Sequence, residues 1–167
     1  MNTRSLSSKY TVSYIDEKDI DDVYCLSKEN RIFYFYCPPF VTKESIAEDM
    51  KALPPGKTME DKYYIGFWDK NKLAAVADVI LRYPDDNTAF IGLFMMDKSY
   101  QGKGEGSFIV TEMINCLKKE GFSAIRLAYA KGNMQSRYFW IKNGFAETGE
   151  EKQNTGYTAV IMQRNLS

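Results

Sequence analysis

The stretch from Thr88 to Glu120 constrains this chain most. A largely apolar run, Thr88 to Met96 (TAFIGLFMM), leads into Asp97-Lys-Ser-Tyr-Gln-Gly-Lys-Gly-Glu-Gly-Ser107, and an amphipathic run, Phe108 to Glu120, leaves it. That order predicts a strand, a glycine-rich turn and a helix. Glycines at 102, 104 and 106 remove Cβ atoms from the turn, so the backbone can approach a ligand closely. The turn also aims free N–H groups outward at the positive end of a helix. Together these predict an anion site, typically for a phosphate. The two commonest phosphate patterns are both incomplete here. No Gly-Lys-Ser/Thr is present, as a P-loop requires, and Ser107 stands where the dinucleotide fingerprint needs glycine.

Composition removes whole classes of chemistry. The chain has no histidine, which excludes Ser-His-Asp and Cys-His catalysis, the usual zinc hydrolase sites and an imidazole base. Carboxylates, tyrosines, lysines, backbone groups or a co-substrate must run any reaction. Lys+Arg and Asp+Glu both number 22, so nothing favours nucleic acid as a partner. Cys25, Cys37 and Cys116 are odd in number and form no CxxC, which points to a reduced, cytoplasmic setting without disulfides or a bound metal. The start, MNTRSLSSKY, has no apolar region resembling a signal peptide. Asp78 interrupts the longest apolar stretch, Leu73 to Leu81, which is too short to span a bilayer, so no membrane partner is expected. With 167 residues, 44% of them hydrophobic, a single domain over 1–167 with a real core is expected.

In chain order, Lys9 to Ile15 alternates weakly and reads as a first strand. Acids crowd Asp16 to Asp22, either as the first turn of a helix or as a patch recruiting a cationic substrate. Arg31 to Phe40 (RIFYFYCPPF) is dense in aromatics and cannot be helical through Pro38-Pro39. It reads as a helix end or an irregular segment, serving either core packing or one wall of a substrate cleft. Thr42 is a good N-cap for a second helix, which Pro54-Pro55-Gly56 stops. Tyr63 to Trp68 and Leu73 to Leu81, joined by Asp69-Lys-Asn-Lys72, predict a hairpin, and a turn at Tyr83 to Asn87 leads into the Thr88–Met96 strand. Beyond the glycine turn, Val110, Met113, Ile114 and Leu117 share a helical face and Gly121 ends it. Ser123 to Ala130 is a strand reached by a helical crossover, hence parallel to Thr88–Met96. A short helix, Gln135 to Lys142, and a closing strand pair, Phe145 to Glu150 and Tyr157 to Gln163, complete the chain.

Two motifs give this order a family resemblance. Gln101-x-x-Gly104-x-Gly106 resembles the pyrophosphate-binding signature (Q/R)xxGx(G/A) of the GNAT superfamily of acyl-CoA-dependent N-acetyltransferases. Asn133-x-x-Ser136-x-x-Phe139-Trp140-x-Lys142-x-Gly144-Phe145 is similar to that family's NxxAxxFYxKxGF, spaced residue for residue. The resemblance covers essentially the whole chain. It implies an α/β (α+β) GNAT fold: a central mixed sheet of about seven strands, about four flanking helices, and a splay between the strands near 88–96 and 123–130. It further implies acetyl-CoA as co-substrate, transfer to a primary amine of a small molecule or peptide in a ternary complex, and a chain that can form a homodimer. A non-catalytic acyl-CoA-binding module is the alternative.

The resemblance also assigns roles. Backbone groups at Phe94 and Met96 would bond the pantetheine amides like an added strand. The amides of Gly102, Lys103, Gly104, Glu105, Gly106 and Ser107 would hold the pyrophosphate, with support from the Gln101 side chain and the Lys103 charge. Glu105 departs from the aliphatic residue usual there, and a carboxylate beside a pyrophosphate weakens binding unless it points away. Asn133 matches an asparagine that bridges to the cofactor, and its type also suits a helix N-cap. Ser136 and Trp140 complete the cofactor side. The family often has a tyrosine acid where Trp140 stands, and an indole cannot protonate a thiolate, which leaves water, Tyr83 or Tyr129 for that task. Tyr138 lies on the other helical face. The residues themselves nominate Asp78 as base, a carboxylate inside an apolar strand, or else as a structural aspartate satisfied by backbone N–H groups or an arginine.

Overall fold

A computed structural model of the chain describes residues 1–166. Seven strands form one mixed sheet: β1 (Thr11–Tyr14), β2 (Lys62–Asp69), β3 (Lys72–Leu81), β4 (Thr88–Met96), β5 (Ala124–Ala130), β6 (Ala146–Asn154) and β7 (Tyr157–Asn165). Their spatial order is β1-β2-β3-β4-β5-β7-β6. Among the described residues only β4 and β5 run parallel, joined by the helical crossover expected from the sequence. Five helices flank the sheet: α1 (Ile20–Lys28), α2 (Arg31–Tyr36), α3 (Lys43–Asp49), α4 (Glu105–Lys119) and α5 (Met134–Lys142).

Local chemistry explains most element starts. The Asp16 side chain accepts from the Lys18 amide while Asp19 accepts from the Asp16 amide, so the acids read as an N-terminal signal form a capping box ahead of α1. Thr42 and Ser45 cap α3 in the same reciprocal way. That helix ends at Asp49, before the prolines expected to stop it. The additional helix is α2. Asn30, with φ −87° and ψ 58°, breaks the run between α1 and α2, and α2 ends before Pro38. Its aromatics serve both uses considered above, since Phe33 and Tyr34 pack inward and Phe33 also lines a cavity, whereas Phe35 is 78% exposed and serves neither.

The sheet separates two apolar clusters. On one face Ile109, Val110, Met113, Ile114 and Leu117 of α4 and Trp140 of α5 pack on Ile65, Phe67, Ala75, Ala77, Ile125 and Leu127. On the other, Val23 and Leu26 of α1 and Ile46 of α3 pack on Tyr64, Val76 and Met95. Strand alternation produces this division, since successive residues of β2 and β3 feed opposite faces.

Candidate active site

The site begins where the sheet opens. Parallel pairing of β4 with β5 covers Thr88 to Ile91 against Ala124 to Leu127 and then stops. Beyond it β4 stays paired only with β3, and β5 goes on with β7. Gly92 sits at the divergence, where the register of β4 on β3 also shifts between Asp78 and Val79. A Cβ at Gly92 would lie 3.1 Å from Asp78 Oδ2, so the missing side chain makes room for that carboxylate. The Asp97 amide donates to the Ala74 carbonyl, so by alternation the backbone groups of Phe94 and Met96 turn into the gap.

At the end of β4 the glycine turn takes the expected form. Gly104 is the N-cap of α4 with φ +83°, a conformation that a side chain would oppose, and open space lies beyond its Cα. In the first turn of α4 the amides of Glu105, Gly106 and Ser107 have no acceptor within the helix. Gly106 differs from its expected role. It has helical geometry, and a Cβ there would meet the Phe139 ring at 3.2 Å, so this glycine admits α5 against α4. Glu105 turns away from the turn: its carboxylate accepts from Lys9 Nζ at 2.7 Å and from the Tyr10 hydroxyl at 2.5 Å. The Lys9 hydrogen bond, then that of Tyr10, holds its pKa below the usual glutamate value. Lys103 folds back to donate to the Ser99 carbonyl at 2.9 Å, and Ser107 Oγ accepts from the buried Asn143 side chain of the α5 terminus.

Two expectations need correction. The Gln101 side chain points back into the protein, where Nε2 donates to the Met96 carbonyl at 3.0 Å and to Asn30 Oδ1 at 2.9 Å. It braces the turn from behind. The Met96 carbonyl also accepts from Asn30 Nδ2 at 3.0 Å, so this acceptor is engaged and only the amide of Met96 is left to face the gap. Asn30 itself reaches three neighbours, since its Nδ2 donates to the Leu26 carbonyl as well. Sequence reading missed it, because an asparagine after a helix is ordinarily a terminator and the tie to Met96 spans 66 positions.

The gap opens into a cavity of about 440 Å³ on the α2 side of the sheet. Phe33 of α2, Cys37 just beyond it, Leu53, Pro54, Asp78, Ile80 and Tyr83 form one part of its wall. The β4 and β5 edges, Asn133, Ser136 and Trp140 form another. Asn133 caps α5 by accepting from the Ser136 amide at 3.1 Å, and it is 4% exposed. Trp140 is buried among Phe94, Phe139 and Phe145 with its ring edge-on to each, and it serves as both core and cavity wall. Tyr138 is 61% exposed, on the far face as expected. Tyr83 and Tyr129 both line the cavity; the Tyr129 hydroxyl donates to Glu147 at 2.7 Å, whereas Tyr83 packs its ring edge-on against Phe90.

Asp78 is held by a residue that sequence reading did not single out. Lys62 Nζ, on a side chain only 1% exposed, donates to Asp78 Oδ2 at 2.7 Å. Asp78 Oδ1 is buried and accepts no hydrogen bond from the described residues. Burial pushes the Asp78 carboxyl up, and Lys62 opposes that only in part. Asp49 of α3 stands close enough to feel the same cluster, and its carboxyl is raised by burial and then by the charge of Asp78. A buried carboxylate oxygen without a donor, in a cavity wall at the divergence of two strands, is suited to accept a proton or hold a cation.

The comparisons agree with this geometry. A family model described as Acetyltransferase (GNAT) family matches residues 24–145. The fold is similar to that of an acetyltransferase from Thermus thermophilus, with TM-score 0.75 and 16% identity over 94% of this chain and 97% of that one. It is similar to AAC(6')-Ib in complex with ribostamycin and coenzyme A, at TM-score 0.72 and 16% identity over 95% of this chain and 94% of that one. A third similar structure is the PaiA N-acetyltransferase from Thermoplasma acidophilum in complex with coenzyme A, at TM-score 0.66 and 16% identity, over 92% and 97% of the two chains. No curated protein is similar enough to count as a match. The family match spans most of the chain, and the splayed strands, glycine turn and following helix lie within it, so the chain belongs to the acetyltransferase (GNAT) family.

Proposed function

We propose that this enzyme transfers an acetyl group from acetyl-CoA to a primary amine by direct attack in a ternary complex. The observation that carries the reading is the divergence of β4 from β5 after Ile91 and Leu127. It leaves the Gly92–Met96 edge of β4 without a β5 partner, between the glycine turn and the cavity that Asp78 lines. Two of the similar structures contain coenzyme A, which supports the same co-substrate here. The first-turn amides of α4 and the positive helix end suit a pyrophosphate. The backbone of Phe94 and the amide of Met96 suit an extended pantetheine arm, added to β4 like a strand. Asn133, Ser136 and Trp140 would flank that arm.

In this scheme Asp78 takes one proton from the substrate ammonium. The freed nitrogen lone pair attacks the thioester carbonyl carbon, an N–C bond forms, and the C–S bond breaks with its electron pair on sulfur. The second amine proton is lost and the thiolate gains one, so the products are an acetamide, the CoA thiol and one proton released to solvent. Tyr83 is the better placed of the two tyrosines considered for thiolate protonation, because the Tyr129 hydroxyl is engaged with Glu147. Holding donor and amine together supplies much of the rate enhancement without a covalent enzyme intermediate. The test is amine-dependent release of free thiol from acetyl-CoA by the purified protein. Binding of acetyl-CoA with no amine-dependent release from a broad set of primary amines would replace this reading with that of an acyl-CoA-binding module.

A further inference from the structure

Resting on the acetyl-transfer reading, we infer that the acceptor is a small monoamine with an apolar, preferably aromatic, body. The charge around the amine position is specific. Lys62 takes Asp78 Oδ2, while the buried Oδ1 has no donor among the described residues, which leaves one acceptor position for one substrate ammonium. The rest of the acceptor side is mainly apolar, with Phe33, Leu53, Ile80, Tyr83, Tyr157 and Ile161, and it includes the uncharged polar groups of Cys37 and Asn154. Lys152 on β6 also lines the cavity, and it forms no ion pair among the described residues. A second ammonium on the acceptor would therefore meet either an apolar wall, where an unpaired charge is strongly disfavoured, or the like charge of Lys152. Size points the same way. The cavity of about 440 Å³ must admit the thioester end of the donor as well, so the acceptor has only part of it.

Acetyl-CoA binding is measured first, by calorimetry. Initial rates of thiol release are then compared for phenethylamine, isoamylamine, spermidine, kanamycin and a lysine-containing peptide. The inference expects kcat/KM for phenethylamine to exceed that for spermidine and for kanamycin by at least about 10-fold, since a buried unpaired charge costs more than one such factor. Lys152→Glu, on an exposed edge strand, should narrow the phenethylamine-to-spermidine ratio about 5-fold by reversing the charge met by a second ammonium. Acetyl-CoA binding with equal or faster transfer to spermidine, kanamycin or the peptide overturns the inference and leaves acetyl transfer standing. Acetyl-CoA binding with transfer to none of the five also overturns it. Failure to bind acetyl-CoA removes the underlying reading, and this inference with it.

Discussion

Asp78 is pulled in opposite directions, up by burial and down by Lys62, and burial prevails. A base with a raised pKa loses its proton-accepting form as pH falls through that pKa. The acid limb of the kcat/KM profile should therefore lie above the ordinary aspartate value of 3.8. Asp78→Asn keeps an oxygen for the buried Lys62 ammonium but cannot take a proton at working pH. Turnover should fall by about 10²-fold or more while acetyl-CoA affinity stays nearly constant. Raising the pH should recover part of the rate, because more acceptor amine is then already deprotonated. A lower melting temperature with turnover per folded molecule unchanged would make Asp78 a purely structural partner of Lys62. Gly92 belongs to the same residue-scale account, since any side chain there presses on the Asp78 carboxylate.

The element proposed to carry the donor is the turn between β4 and α4, and the glycines at 104 and 106 should fail differently. At Gly104 nothing lies within 4 Å of a would-be Cβ, and the positive φ is the only internal obstacle. Gly104→Val should abolish CoA binding and lower Tm by about 2–8 °C, from left-handed strain of about 1–2 kcal/mol. Gly106→Val pushes the Phe139 ring, so it should lower Tm further by separating α4 from α5. Equal melting temperatures for the two variants would contradict this division of roles. Asn30 joins the α1–α2 break to this turn through Met96 and Gln101. Asn30→Ala removes hydrogen bonds worth about 1 kcal/mol each and leaves the turn less fixed, so the Kd for CoA should rise about 5–10-fold. A lower Tm with unchanged Kd would show that Asn30 braces the fold and not the donor site.

For the whole molecule, a ligand bound only by the folded state stabilises it by mass action. CoA at 100 times its Kd should add about 2.7 kcal/mol and raise Tm by about 5–11 °C in a chain of this size. Dephospho-CoA should do nearly as much, because the glycine turn is read as a pyrophosphate site, and thermal melts with millimolar acetyl-CoA check both. Features that depend on residues a few positions apart were legible in the sequence: the glycine turn, the acidic start of α1, the Thr42 cap, the β2–β3 hairpin, the apolar face of α4 and the crossover to β5. Each rests on local geometry that any fold must respect. The partner of Asp78 was not legible, for a definite reason. Counted straight back from the Asp69–Lys72 turn, Asp78 would lie opposite Tyr63, but the register shifts between Phe67 and Trp68, so it lies opposite Tyr64 and shares a face with Lys62. A one-residue slip exchanges the two faces of a strand, and no periodicity in β2 or β3 announces it. Likewise Gln101 and Asn30 meet at Met96 only after α1, β4 and the turn have packed. The sequence by itself determined the order of elements and the place of the glycine turn between β4 and α4. Tertiary packing alone decided which charge Asp78 meets, because that depends on register between strands and on side chains that meet across the fold.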